Sequence, residues 1–284
     1  MSSPRRGSRE KHALSADELR AWSEDGFLIR PSVFREDELR ELRDAAEAVV
    51  VQAEALCEGG SAYRIDGNRY VESGCATIQF EHAPGSSTIR VIEPFHRLHP
   101  RLDALIDDPR LVQPMRSLVG AEDVSLWTDK LNLKRPREGS RFRFHQDSPY
   151  WAYDCEHVDR LPNVMIVLDE ASEENGCLRV IRGSHRQGML PGIEDESTLG
   201  PLFTDPRCFD PECEVAAVMP AGSLLFFSPH LVHGSEPNSS DAARRAMVLT
   251  YQPAGRRMFK LNEVRDARPT HTGESGEAHT SGAA

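Results

Sequence analysis

The pattern of apolar and polar positions changes character near residue 120. Upstream of it, Leu39, Leu42, Ala45, Ala46, Val49, Val50 and Ala53 recur at three- and four-residue spacing, which predicts an amphipathic helix over 36–58. Ser15-Ala-Asp-Glu18 places serine three residues ahead of glutamate, a capping box that opens a shorter helix ending near Gly26. Residues 27–29 (Phe-Leu-Ile) read as a strand. A third helical stretch covers 100–119, with Gly120 as its C-cap. Downstream the runs are short: 125–133, 141–145, 164–168, 177–181, 215–219, 224–227 and 246–251, separated by Gly, Pro, Asn and Asp. That spacing indicates an all-β sandwich or barrel. The expected fold class is α+β, mainly β. One domain is expected over 14–265, with a helical part (14–120) packed against a double-sheet jelly roll (121–260). Residues 1–13 and 266–284 hold too little apolar surface to offset ordering and are expected to be disordered tails.

Charge narrows the choice of partner. The 284 residues include 34 basic and 45 acidic side chains, a formal net charge of -11. The resulting field repels polyanions, so neither nucleic acid nor an anionic membrane is an expected partner. No run of about 18 apolar residues is present to cross a bilayer. Cys57, Cys75, Cys155, Cys177, Cys208 and Cys213 are scattered without a second close pair to complete a zinc site, and read as reduced thiols. Arg5-Arg6 is followed by polar residues rather than an apolar export segment. These features predict a cytoplasmic protein acting on a small molecule.

Candidate chemistry begins with His145-Gln-Asp147, which follows an alternating run; residues two apart on a strand point the same way, so imidazole and carboxylate can converge on one cation. Spacing alone is weak evidence. With about 16% of residues acidic, eleven histidines give roughly 1.7 such pairs by chance, and the chain has two, the other being His157-Val-Asp159. His157 lies in a charged, loop-like stretch, which favours the first pair. A second histidine, His233, stands at the rim of the apolar strand that starts at Gly222, and Arg244 opens the next strand eleven residues later. An antiparallel hairpin of these two strands would bring His233 and Arg244 to one end. Two imidazoles and one carboxylate leave three positions open on a metal, which suits Fe(II) binding O2 and a chelating cosubstrate. The arginine supplies a fork for that cosubstrate's distant carboxylate. Zinc hydrolysis needs one open position and no such arginine.

The run from Leu14 to Gly255, about 85% of the chain, resembles the phytanoyl-CoA dioxygenase family of Fe(II)/2-oxoglutarate-dependent oxygenases, which includes ectoine hydroxylase-like and tailoring enzymes. The resemblance rests on Asp25-Gly-Phe-Leu28, Asp108-Pro-Arg-Leu111, Asn132-Leu-Lys134, His145-Gln-Asp147, Glu174-Asn-Gly-Cys-Leu178, Arg182-Gly-Ser-His185, His233-Gly-Ser235 and Arg244. It implies a double-stranded β-helix, cupin-like, with N-terminal helices against it. It makes His145, Asp147 and His233 the iron ligands, pairs Arg244 and Ser235 with the far carboxylate of 2-oxoglutarate, and makes Asn132 a cosubstrate contact. Thr128 and Lys130 match positions that face the substrate. The implied reaction is hydroxylation of an aliphatic C–H bond with release of succinate and CO2, supported by ascorbate. The family's usual Pro-Gly-Ser-His is Arg182-Gly-Ser-His185 here, and its Gly-Asp is Gly222-Ser223, so altered loop contacts are expected. Asp147 stands where halogenating relatives carry a small residue, which points to a hydroxylase.

Each assignment has a competitor. His230 competes with His233, and Arg245 with Arg244, because a strand sends neighbours to opposite faces. His185 reads as a turn-fixing side chain. The basic run Lys130, Lys134, Arg135, Arg137, Arg141 and Arg143 fits either an anion-attracting surface or a solvated β-edge. Tyr150 and Trp151 either wall the substrate pocket or pack in the core. Arg90 is a further candidate for an anion near the metal. The rival functions are a jelly roll that binds a metal or small acid without turnover, and a metal-dependent hydrolase.

Overall fold

A computed structural model describes residues 11–268. Its helices are α1 (Ala16–Asp25), α2 (Glu36–Gly59), α3 (Pro100–Asp103), α4 (Pro109–Val119) and α5 (Ser148–Trp151). Its strands are β1 (Phe27–Arg30), β2 (Ser61–Ile65), β3 (Asn68–Glu72), β4 (Thr77–Phe80), β5 (Ile89–Glu93), β6 (Val124–Lys134), β7 (Phe142–His145), β8 (Asn163–Val167), β9 (Arg179–Ile181), β10 (Glu214–Ala216), β11 (Leu224–Phe227), β12 (His233–Ser235) and β13 (Arg244–Pro253). They form two antiparallel sheets, one in the order β1-β11-β8-β13-β6-β5-β4-β3-β2 and the other β10-β9-β12-β7.

The apolar stripe of α2, from Leu39 to Ala53, is buried as a set. It packs on the outer face of the large sheet with Ile78, Ile92, Leu131 and Leu249. The opposite face of that sheet supplies Met165, Val167, Ala246 and Val248, which meet Val180 of the small sheet and Leu178 just before β9. The jelly roll is therefore closed between sheets, and the helices brace it from outside. Ser15 caps α1 as its sequence indicates, accepting from the Glu18 amide while the Glu18 carboxylate accepts from the Ser15 amide. Gly26 ends α1 at φ 84°, and a Cβ there would strike the His185 ring. His185 bonds Ser23 O through Nε2, the turn-fixing role expected of it.

Three expectations need correction. The span 14–120 is not wholly helical, because β2 to β5 extend the large sheet through it. Alternation failed to mark them: β2 is almost entirely exposed and β5 entirely buried, so neither shows period two. The third helix is two pieces, divided where Asp108 caps α4 and Pro109 cannot extend a preceding helix. Parts of both expected tails are docked. Arg30 holds the carbonyls of His12 and Ala13, and the Ala267 and Arg268 amides donate to Val124 O and Asp107. Residues 1–10 and 269–284 of the expected tails lie outside the described residues.

Register decides what faces the space between the sheets. Along β6 and β13, Lys134 opposes Arg244, Asn132 opposes Ala246, Lys130 opposes Val248 and Thr128 opposes Thr250. Directly opposed residues share a face, and Ala246 and Val248 belong to the intersheet core. Thr128, Lys130, Asn132, Lys134 and Arg244 thus line one interior surface. From the other side, Phe203 bridges to His145 and covers the outer edge of β7.

Truncating Leu42, fully buried on α2, is expected to destabilise the fold by about 2–5 kcal/mol, read as a lowered denaturant midpoint with an unchanged slope for L42A.

Candidate metal centre

His233, which starts β12, is paired directly with His145, which ends β7, and their ring centroids lie 4.3 Å apart. Each imidazole donates from Nδ1 to a carbonyl two residues upstream, His145 to Arg143 O at 2.8 Å and His233 to Leu231 O at 2.9 Å. A carbonyl only accepts, so the proton is on Nδ1 and the Nε2 lone pair is left free. Both Nε2 atoms point toward Asp147, each 3.9 Å from one carboxylate oxygen. The ligand atoms of His145, Asp147 and His233 all lie within 4.8 Å of one another, a spacing that could hold a metal ion.

Asp147 is itself positioned. Its backbone N–H donates to Pro229 O, and its Oδ2 accepts from the Asn163 amide at 2.9 Å. Asn163 in turn accepts from the Thr250 hydroxyl. The intervening Gln146 points the other way and ties down Gly188, Leu190 and His230 through its side-chain amide. Burial, then the neighbouring His233, pushes the His145 pKa down to about 3, so the imidazole is neutral near pH 7 and fit to coordinate. Burial pushes Asp147 upward, but the Lys130 ammonium and the two imidazoles outweigh it and hold the carboxyl below its ordinary range.

His230 is excluded by its own contacts, since its ring nitrogens meet Ser148 Oγ and Asp159. His157 packs edge-on against Trp127 and bonds Gln252, away from the three donors.

Arg244 and Arg245 divide as opposite strand faces require. Arg245 turns outward to Asp169 and Glu47. Arg244 turns inward, is 3% exposed, and has one bond, from Nη2 to Gly176 O. Among the described residues its Nε has no hydrogen-bond partner, and the buried Ser235 Oγ has none either. Burial pushes the Arg244 pKa down to about 10. The expected hairpin between the His233 and Arg244 strands does not form, because β12 belongs to the small sheet and β13 to the large one. The two residues meet the interior from opposite walls.

The remaining candidates separate by environment. Asn132 is half-buried on the interior row with no side-chain hydrogen bond among the described residues. Thr128 spends its hydroxyl on Glu93, a residue that the sequence did not single out. Trp151 is core packing, 1% exposed against Trp127 and Leu161. Its neighbour Tyr150 sits edge-on to His145 at 5.9 Å. Arg90 is buried over the Phe142 ring and contacts His82 and Arg141 O. The basic run is not a uniform solvated edge: Arg135 and Arg137 pair with Glu47 and Asp241, whereas Lys134 is buried and bonds Ser140 O and Glu236 O. Burial, then Arg244 and Arg90, brings Lys134 down to about 6.

The donor set fits a divalent metal, and the orphaned guanidinium and hydroxyl fit a carboxylate. Residues 22–246 match the family model for phytanoyl-CoA dioxygenase. The chain belongs to that family. It is 28% identical to the ectoine dioxygenase of Bordetella parapertussis over 283 residues, covering 91% of this chain and 82% of that one. Among solved structures it is similar to EctD from S. alaskensis with bound Fe, at TM-score 0.66 and 27% identity, covering 88% of this chain and 80% of that one. The same enzyme with 2-oxoglutarate and 5-hydroxyectoine gives TM-score 0.64 and 25% identity, covering 88% and 79%. No helix among the described residues is long and apolar enough to cross a membrane.

Removing the amide that holds Asp147 should loosen the centre without unfolding it. N163A is expected to bind Co(II) about 10- to 100-fold more weakly, measured by titrating the visible absorption of the cobalt complex.

Proposed function

We propose that this phytanoyl-CoA dioxygenase family member is an Fe(II)- and 2-oxoglutarate-dependent dioxygenase that hydroxylates an aliphatic C–H bond of a small molecule, releasing succinate and CO2. One observation carries the reading: a two-histidine, one-carboxylate face and a buried guanidinium with an unused donor share the same intersheet space. When bound, ferrous ion and 2-oxoglutarate supply the activation of O2 and the oxidation of the C–H bond.

The chain supplies position and charge. His145, Asp147 and His233 hold the metal, with the imidazole faces set by the carbonyls of Arg143 and Leu231. Arg244 and Ser235 receive the far carboxylate of 2-oxoglutarate. Its cost of burial falls because Arg244 Nε and Ser235 Oγ are already desolvated and have no hydrogen-bond partner among the described residues. Gly176 O fixes the guanidinium from behind, which accounts for the Glu174-Asn-Gly motif: Asn175 bonds the Glu170 carbonyl and the Ser172 amide and so shapes the turn. Asn132 stands between these groups on the interior row and is assigned to the cosubstrate. The apolar Met165, Val167 and Val248 keep the space between them dry. All six cysteines are free thiols, which supports a cytoplasmic location.

The test is succinate release from the purified chain with Fe(II), 2-oxoglutarate and O2, alongside mass spectrometry for products one oxygen heavier. D147A should release no succinate; turnover retained by this variant would remove the ligand assignment. R244A should raise the 2-oxoglutarate requirement at least tenfold, corresponding to about 1.4 kcal/mol or more. R245A should leave that requirement near wild type and lower thermal stability instead, since its partners are Asp169 and Glu47. The reverse order would show that Arg245 is the cosubstrate ligand.

A further inference from the structure

We infer that Lys134 is a positioning residue for the far-carboxylate end of the cosubstrate site, because its buried side chain joins the three turns that present Ser235 and Arg244. The inference rests on the dioxygenase reading for what that end of the site receives, and adds the residue that holds it in shape.

Lys134 ends β6, is 1% exposed and has no ion pair among the described residues. A buried amine without a carboxylate adds little stability that an apolar side chain of the same shape would not supply. Its contacts point to another use. Nζ donates to Ser140 O at 2.7 Å, in the turn that follows β6, and to Glu236 O at 2.5 Å, directly after Ser235. The stem reaches the third turn, at 172–177. A Cβ added at Gly176 would crowd Glu236 O and would meet Lys134 Cδ and Cε at 3.1 and 3.2 Å. Glycine at 176 thus lets the residue whose carbonyl holds Arg244 Nη2 lie against the lysine stem and against the carbonyl that the lysine bonds.

The main chain repeats the arrangement. Lys134 O accepts from Asn238 Nδ2, and the Asn238 amide donates to Gly139 O, so the turn after β6 and the connection from β12 to β13 are stitched at both ends of one residue. Ser239 closes the remaining side, since its amide and hydroxyl both donate to Glu174 O.

The groups served are those with unused donors. Ser235 precedes Glu236, and Arg244 stands opposite Lys134 in the β6–β13 register. Lys134 makes no hydrogen bond to either; it acts through Glu236 O on one and through Gly176 on the other. A role at the metal does not fit. Lys130, which faces Asp147 at 3.9 Å, is four residues away along β6, a separation of about 13 Å. The effect of Lys134 is therefore confined to the far carboxylate.

The test compares two keto acids of equal length, 2-oxoglutarate and 2-oxopentanoate, the second lacking the far carboxylate. Each is titrated calorimetrically into the full chain loaded with Mn(II). K134M keeps a stem against Gly176 and removes the Nζ donors; it should weaken 2-oxoglutarate about tenfold or more while changing 2-oxopentanoate, and the affinity for Co(II), by less than about twofold. K134Q, which keeps a polar group but cannot reach both carbonyls, should give the same split and stands in if K134M does not fold. Unchanged affinity for 2-oxoglutarate, or an equal loss for both keto acids, overturns the proposal. So does failure of both variants to fold, because Lys134 would then serve the fold rather than the site. Wild-type chain that binds no 2-oxoglutarate removes the dioxygenase reading and this inference with it, whereas wild type and variant that bind it alike and both release succinate remove Lys134 alone.

Discussion

Two imidazoles on neighbouring strands can share a cation only if their protonated nitrogens are turned away from it. Here the backbone makes that choice twice, through the Arg143 and Leu231 carbonyls, and the rest of the centre is arranged around the result. Burial keeps His145 neutral near pH 7, so no proton has to leave before a metal binds. Asp147 then needs a fixed orientation of its own, and the Thr250-Asn163 relay from the large sheet provides it. The small sheet thus contributes the nitrogen donors, while the large sheet holds the oxygen donor in place.

The same division explains why so much positive charge is tolerated in the interior of a chain with net charge -11. Arg90, Lys134 and Arg244 are all buried without a carboxylate partner among the described residues. Carbonyls and aromatic faces offset part of their desolvation: Gly176 O for Arg244, Ser140 O and Glu236 O for Lys134, the Phe142 ring for Arg90. What is left over is a standing preference for anions inside a molecule whose outer field repels them. Membership in the phytanoyl-CoA dioxygenase family gives that preference a use, since the cosubstrate of a 2-oxoglutarate enzyme is a dianion.

Much of this was legible in the chain, and the failures have identifiable causes. The α2 stripe, the capping box at Ser15 and the late β-runs announce themselves by period, because each has one wet and one dry face. β2 and β5 have two faces of the same kind, exposed in one and buried in the other, and period cannot mark them. The donor set could be chosen from local context, but the layout could not. Proximity of His233 and Arg244 suggested a hairpin, whereas β12 and β13, though consecutive, belong to different sheets. Arg244 and Arg245 differ in their partners, which period cannot foretell: Asp169 and Glu47 hold the latter. Trp151 and Thr128 have contacts within the protein that position alone does not reveal, Trp151 with Trp127 and Leu161 and Thr128 with Glu93. Glu93, which accepts the Thr128 hydroxyl, carried no signal in sequence beyond being one acid among many.

Because Arg244 projects from one sheet and the imidazoles from the other, their separation is set by the side chains packed between the sheets, chiefly Met165, Val167, Val180 and Val248. Those apolar residues work as the jaws of a caliper: their volumes set the gap between the guanidinium on one wall and the imidazoles on the other, so a side chain that touches neither group fixes their spacing through the thickness of the core.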